Sequence, residues 1–275
     1  MHVRHVVRFL VFALVTSLSA VSAFAQASAR DKAKNRQEAQ KPFEPYSGQP
    51  GKDVVWVPTP QPLVEKMLDM AKLTPQDFHI DLGSGDGRTV ITAAKRGARA
   101  MGVEYNPDMV ALSKKNAAAA GVGDKATFVE ADLFETDFSK ADVLTLFLLP
   151  SLNMKLRPKI LDMKPGTRIV ANSFNMEDWE ADETETIGGD CTSWCTALLW
   201  IVPAKVQGTW ATPQGELKLT QQFQKVTGTL GTQTISDGKL RGDELTFKVG
   251  SNIYAGKVNG NTIRGTNWTA TKTGA

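Results

Sequence analysis

Apolar and polar positions change rhythm along the 275 residues, and each rhythm predicts a different kind of structure. Residues 9–25 are almost unbrokenly apolar, whereas residues 26–50 are polar, mixed in charge and closed by Pro42, Pro45, Gly48 and Pro50, the composition of a flexible linker. Thr59-Pro60 then reads as a helix start, an N-cap followed by a first-turn proline, with Leu63, Met67 and Ala71 at four-residue spacing behind it. From Phe78 onward, short apolar runs alternate with helical periodicity. Strands are predicted at residues 78–82, 98–104, 126–130, 142–149 and 167–173. Helices fall at residues 88–96, ended by Gly97, at residues 107–120, ended by Gly121, and near residues 152–163. A last pair of strands, near residues 184–187 and 196–204, brings the count to seven. Such alternation predicts an α/β domain over residues 51–204, a Rossmann-like sheet with helices on both faces.

Beyond residue 206 the period drops to two. Glu216-Leu-Lys-Leu-Thr220, Glu244-Leu-Thr-Phe-Lys248 and Thr262-Ile-Arg-Gly265 alternate strictly, and Asp237-Gly238, Gly242-Asp243 and Asn259-Gly260 are hairpin signals between them. Residues 206–275 are therefore expected to form a small antiparallel β domain, a meander or a closed barrel. Its opening Gly208-Thr-Trp210 is similar to that of lipocalins. About 70 residues leave little interior for a ligand, so a packed structural or docking module is expected.

The composition, 41% apolar, suffices for buried cores and excludes a disordered chain. Residues 1–25 carry Arg4 and Arg8, no acid, and end Ala23-Phe-Ala25, the pattern of a secretory signal cleaved after Ala25. The expected location is therefore outside the cytosol, in a periplasm; an anchor formed by residues 9–25 is the alternative. Cleavage removes two of the 32 basic residues and none of the 29 acids, leaving a formal charge of +1. No basic groove for nucleic acid is expected. It also removes His2 and His5, so His79, expected as a packed or partly exposed strand residue, is the last histidine. A metal site or a Ser-His-Asp triad has too few residues to draw on. The two cysteines, Cys191 and Cys195, are expected either as a disulfide closing a short loop or as two buried thiols.

The chemistry gathers at Asp81-Leu-Gly-Ser-Gly-Asp-Gly87, between a predicted strand and a predicted helix. Gly83 and Gly85, with Ser84 between them, let the backbone bend tightly and approach a ligand. The helix behind offers free N–H groups to a carboxylate. Asp81 ends its strand where an ammonium group would sit. Glu104, ending the next strand, is placed to accept two ribose hydroxyls. S-adenosylmethionine (SAM) satisfies all of these. A dinucleotide is the competitor, but its fingerprint wants a small residue where Arg88 stands, and a glycine turn without a ligand is the third reading.

With those residues set out, residues 54–203 resemble the seven-stranded class I SAM-dependent methyltransferases. Within them, Trp56-Val-Pro-Thr-Pro60, Asp81 through Arg88, Phe147-Leu-Leu-Pro150, and Arg157-Pro-Lys159 with Lys164-Pro-Gly166 are similar to one lysine methyltransferase family. Its mitochondrial members modify the ATP synthase c-subunit and the adenine nucleotide translocase. The resemblance implies SAM as cofactor and a protein acceptor, a membrane protein among the candidates, with no nucleic acid and no metal. It places Asp81, Gly83, Ser84 and Gly85 around the methionine part of SAM, Glu104 on the ribose, Tyr105 against the adenine and Asp132 at the adenine amino group. Thr59 belongs to a proline-flanked segment over the cofactor. Leu149 and Pro150 are the candidate wall of the acceptor channel, with a backbone carbonyl to orient the amine.

That chemistry suits a site without a catalytic histidine. Sulfonium is already an activated leaving group, so transfer chiefly needs an in-line approach and exclusion of water. A lysine acceptor must lose a proton, at a cost of about 4.6 kcal/mol at pH 7 from its ordinary pKa of about 10.4. Desolvation beside a sulfonium charge lowers that cost. The same fold without catalysis, serving as an exported binding or scaffold protein, and a small-molecule methyltransferase are the competing expectations. The secretory pattern and the C-terminal β domain depart from the mitochondrial relatives.

Overall fold

The structure is a computed structural model that describes residues 43–274 and Arg30. The expected signal segment, and the linker as far as residue 42, lie outside the described residues. Seven strands build the first sheet: β1 (Phe78–Leu82), β2 (Arg99–Glu104), β3 (Ala126–Glu130), β4 (Val143–Leu146), β5 (Arg168–Asn172), β6 (Glu183–Thr186) and β7 (Thr196–Ile201). Their order is β3-β2-β1-β4-β5-β7-β6. The pairs from β3 to β5 are parallel and β7 is antiparallel to both its neighbours.

Among the described residues, four helices cover this sheet: α1 (Gln61–Met70), α2 (Arg88–Lys95), α3 (Pro107–Ala119) and α4 (Pro150–Leu161). Alternate strand residues sort into two cores, as a pleated sheet requires. Ala100, Val143, Val170 and Leu199 face the helices α1 to α3 through Leu63, Val64, Leu68, Val90 and Val110. Ile80, Leu144, Leu146 and Ile169 face α4 through Leu152, Leu156 and Ile160, together with Trp179 and Trp200. The winding reverses between β1 and β4, so their C-terminal tips part and leave a crevice, the place where open α/β sheets bind ligands.

Strands β8 (Gly208–Thr212), β9 (Gly215–Gln222), β10 (Lys225–Leu230), β11 (Gln233–Arg241), β12 (Glu244–Val249), β13 (Asn252–Asn259), β14 (Thr262–Gly265) and β15 (Thr269–Gly274) close into an antiparallel barrel. Trp210, Leu217, Leu240, Leu245, Phe247, Ile263 and Trp268 fill its interior, which makes it a packed body. Gly242-Asp243 is the turn it was expected to be, whereas the second turn falls one residue later, at Gly260-Asn261, because Asn259 ends β13 and pairs with Thr262. Asp237-Gly238 is not a turn: it lies inside β11, where the register shifts between Ser236 and Lys239. A Cβ on Gly238 would stand 2.0 Å from the Val226 carbonyl oxygen, so glycine serves close strand approach there.

The barrel docks on the sheet at the N-terminal tips of the parallel strands. Phe223 stacks on Trp179 with ring centroids 5.7 Å apart, and Gln224 Nε2 donates to the Glu180 carbonyl at 2.8 Å. Ala204 N donates to the Gly242 carbonyl at 2.8 Å, and Arg241 pairs with Glu183. This joint lies at the end of the sheet opposite the crevice.

Two local expectations are corrected. Residues 46–50 do not continue the flexible linker: Gly48 N donates to the Trp56 carbonyl at 2.7 Å and Trp56 N to the Gln49 carbonyl at 2.9 Å, with Gln49 buried. Thr59 does not cap α1 either. Pro60 occupies the N-cap position without a side-chain cap, and the Thr59 hydroxyl is used elsewhere.

Candidate functional site

The strand before the glycine turn ends in Asp81 because alternation sends Ile80 and Leu82 to the α4 side, leaving Asp81 on the opposite side of the strand from them. Asp81 is 7% exposed and accepts a hydrogen bond from Thr145 Oγ1 on β4 at 2.6 Å. Thr145 in turn contacts His79 Nε2 at 2.8 Å. A hydroxyl has one proton, so when Asp81 is ionised His79 donates to Thr145 and Thr145 donates to Asp81. Burial raises the Asp81 pKa to about 7 and lowers that of His79 to about 3, which keeps the imidazole neutral. His79 is thus fully buried and part of the site's support, beyond the packed strand residue the sequence suggested.

After β1 the chain turns sharply. Gly83 N and Ser84 N both donate to the Val103 carbonyl, at 2.9 and 3.0 Å, tying the turn to β2. Gly85 has φ +53°, and a Cβ there would lie 2.4 Å from Trp56 Nε1, so the indole of the N-terminal segment rests directly on this glycine. Glu104 at the tip of β2 accepts from Gly85 N through Oε2 and from Asn106 N through Oε1, each at 2.9 Å. Those bonds fix the carboxylate at the crevice. Arg88 pairs with Asp86 at 2.6 Å and donates to the Thr59 carbonyl at 2.9 Å, so it clamps the glycine turn to the Trp56–Thr59 segment. Thr59 Oγ1 accepts from Asn172 Nδ2 at 3.2 Å.

One cavity of about 1070 Å³, including its open mouth, is lined by Thr59, Asp81, Gly83, Ser84, Gly85, Glu104, Tyr105 and Asp132. Every cofactor residue proposed from the sequence therefore reaches the same hollow. Asp132, just beyond β3, accepts from Phe134 N at 2.8 Å and pairs with Lys52, whose ammonium holds its carboxyl below the usual carboxylate range. Lys52 Nζ also lies 4.6 Å from the Tyr105 ring centroid.

Leu149 and Pro150 do not line the cavity; Phe147, Leu148 and Leu152 do. The strand ends at Leu146, and the Leu149 carbonyl accepts from Leu152 N and Asn153 N at 2.9 and 3.1 Å, opening α4. Sequence reasoning also missed Gln49, Lys52, Arg88 as a clamp, and Thr145. Thr145 is detectable only as a polar position inside the apolar run of β4.

The donor set fits SAM. A buried carboxylate with a raised pKa and no cationic partner among the described residues suits an ammonium, and the less buried Glu104 and Asp132 on the neighbouring strand ends suit ribose and adenine. The Ser84 hydroxyl, buried in the same wall, has no hydrogen-bond partner among the described residues.

Comparison with known proteins decides the family. The model of the ANTKMT methyltransferase domain matches residues 81–183. A protein-lysine N-methyltransferase of Saccharolobus islandicus is 42% identical over 133 residues, covering 47% of this chain and 83% of that protein. The chain belongs to this protein-lysine N-methyltransferase family. The mouse lysine N-methyltransferase of the ATP synthase c-subunit is 36% identical over 140 residues, 50% of this chain and 56% of that enzyme, so the chain spans little more than half the length of that relative. A solved structure from Salinibacter ruber, described as an RNA methyltransferase in complex with S-adenosyl-L-homocysteine, is 46% identical with a TM-score of 0.51, covering 55% of this chain and 96% of that one. The methyltransferase resemblance thus covers the sheet, and SAM is the cofactor that its cavity is built to hold.

Bound SAM would supply a sulfonium-activated methyl group. Asp81 would hold its ammonium, Glu104 its ribose hydroxyls, and Asp132 with Tyr105 its adenine end. Trp56 rests on the glycine turn, and Phe147, Leu148 and Leu152 would give an acceptor an apolar approach. Within such walls an amine loses its proton more readily than in water.

Proposed function

We propose that this chain transfers a methyl group from SAM to a lysine amine of a protein acceptor. One observation carries the reading. The buried Asp81 and the carboxylates of Glu104 and Asp132 line one hollow together with the apolar side chains of Phe147, Leu148 and Leu152. The names of the archaeal and mouse relatives support lysine as the acceptor, and that of the mouse enzyme supports a membrane protein. Incubation with methyl-tritiated SAM and a protein extract of cells lacking the gene should label protein, with methyl-lysine released on hydrolysis. Glu104→Ala should abolish the label. Label that resists protease and is removed by ribonuclease would replace this reading with an RNA acceptor, the one for which the Salinibacter protein is described. No label on either would favour a binding protein that keeps the fold.

We further propose that the protein works outside the cytosol, in a periplasm. The charge and apolar pattern of residues 1–25 and the bridged pair Cys191–Cys195 support this, since disulfides persist in oxidising compartments. Cell fractionation with N-terminal sequencing should find the chain in the envelope and starting after Ala25. Retention of residues 1–25 in the membrane fraction would mean an anchor, and a cytosolic chain beginning at Met1 would overturn export.

A further inference from the structure

Three aromatic rings from three different connections meet at the acceptor side of the crevice. Phe147 follows β4, Phe174 follows β5, and Trp194 belongs to the loop between β6 and β7. Their ring centroids are 5.9 Å apart for Phe147 and Phe174, 5.8 Å for Phe147 and Trp194, and 5.2 Å for Phe174 and Trp194. Phe147 also lines the cofactor cavity, so the cluster is continuous with the hollow where the methyl group would lie. Trp194 remains 43% exposed, and its backbone has φ +59°, a conformation that a bulky residue adopts only when its surroundings impose it. The Cys191–Cys195 bridge closes the short loop that holds it, and Ile187 N donates to the Cys195 carbonyl at 2.9 Å to fix the loop to the end of β6. Nothing in the core needs this indole. Leu149, also 43% exposed, follows Phe147 by two positions and widens the apolar rim.

We propose that Trp194, pinned against Phe147 and Phe174 by the Cys191–Cys195 bridge, is the acceptor-side specificity determinant: its open face takes an apolar side chain flanking the target lysine. This rests on the lysine-methyltransferase reading above. A stacked indole supplies large apolar contact with little entropy to lose, which is why tryptophan dominates many recognition surfaces. Acceptor recognition then depends on the oxidised loop, whereas cofactor binding, made by β1, β2 and the Trp56 segment, does not.

The test measures methyl transfer from tritiated SAM to a graded protein extract of cells lacking the gene, with SAM affinity measured by calorimetry on the same preparations. Trp194→Ala is expected to raise the half-saturating extract concentration about tenfold and leave the SAM Kd unchanged. Trp194→Phe should restore most of the loss. Reduction by dithiothreitol, or the pair Cys191→Ser and Cys195→Ser, should reproduce the defect in the wild-type background and add nothing to Trp194→Ala. An unchanged half-saturation in Trp194→Ala with active wild type overturns the inference alone, as does a weakened SAM Kd, which would place Trp194 in the cofactor site. Absence of transfer by the wild type overturns the methyltransferase reading and this inference with it.

Discussion

Thr145 Oγ1 donates to Asp81 Oδ1 across 2.6 Å, joining the two strands between which the winding of the sheet reverses. The same oxygen meets His79 Nε2, so the carboxylate that faces the cofactor is held by a hydroxyl oriented by a neutral imidazole. Buried, and with no cation beside it among the described residues, Asp81 prefers its protonated form up to about pH 7. The cofactor site is therefore least favourable to its own fold when empty, a common trade between stability and function.

Stability should report this directly. The folded pKa of Asp81 is raised from the ordinary 3.8 to about 7, so the stability gained from its protonation is full below 3.8 and is lost as pH rises through 7. Asp81→Asn removes that loss. The variant is expected to melt at a higher temperature than wild type at pH 8 in the absence of SAM, with the difference vanishing near pH 4. Thermal scans across this range check it; a lower melting temperature at pH 8 would contradict the assignment.

SAM affinity should carry the opposite dependence. Binding an ammonium requires ionised Asp81, so the Kd should tighten about tenfold per pH unit as pH rises toward 7 and level off above it. Calorimetry at several pH values would show this slope, and a flat profile would mean that Asp81 does not meet the cation.

Thr145→Val keeps the shape of the side chain and removes its hydroxyl. It leaves the Asp81 carboxylate and the His79 N–H without their shared partner, a loss of about 1–3 kcal/mol in denaturant melts. Because that hydrogen bond favours the charged carboxylate, the pH midpoint of SAM binding should also move upward.

Gly85→Ala tests the contact between the glycine turn and the N-terminal segment. The new Cβ would sit 2.4 Å from Trp56 Nε1 at a backbone φ of +53°, so the indole must leave. Strain of about 1–3 kcal/mol is expected, together with a red-shifted Trp56 emission and SAM affinity reduced more than about tenfold. Comparison with a Trp56→Phe background isolates the fluorescence of this one indole.

The barrel joint should matter for stability and not for the cofactor. Phe223→Ala removes the ring stacked on Trp179 and should cost about 1–3 kcal/mol, since the ring is only partly buried, with the SAM Kd unchanged because the joint and the crevice occupy opposite ends of the sheet. A large change in Kd would show that the two ends are coupled.

The order of elements and the glycine turn with its two acids were legible in the chain, because they rest on local rules. Apolar period distinguishes helix from strand, glycine marks the bend, and an acid at a strand tip points where the strand ends. Thr59, Asp81, Glu104, Tyr105 and Asp132 lie far apart in sequence, yet each sits at an element boundary that periodicity locates, and all line one cavity. What lay beyond local rules were the partners: Thr145 beneath Asp81, Lys52 on Asp132, Arg88 on the Thr59 carbonyl, and the Phe147, Phe174 and Trp194 cluster. The end of β4 was set too late for the same reason, since the chain leaves the strand at Leu146 and the Leu149 carbonyl already opens α4. Likewise Asp237-Gly238 has the chemistry of a turn, and only pairing with β10 and β12 makes it a bulge. Residue types and their spacing determined which chemistry this protein is equipped for. Which side chains meet was decided by tertiary packing, because hydrogen bonds and ring contacts are set by distances of a few ångströms between segments that the linear order leaves free.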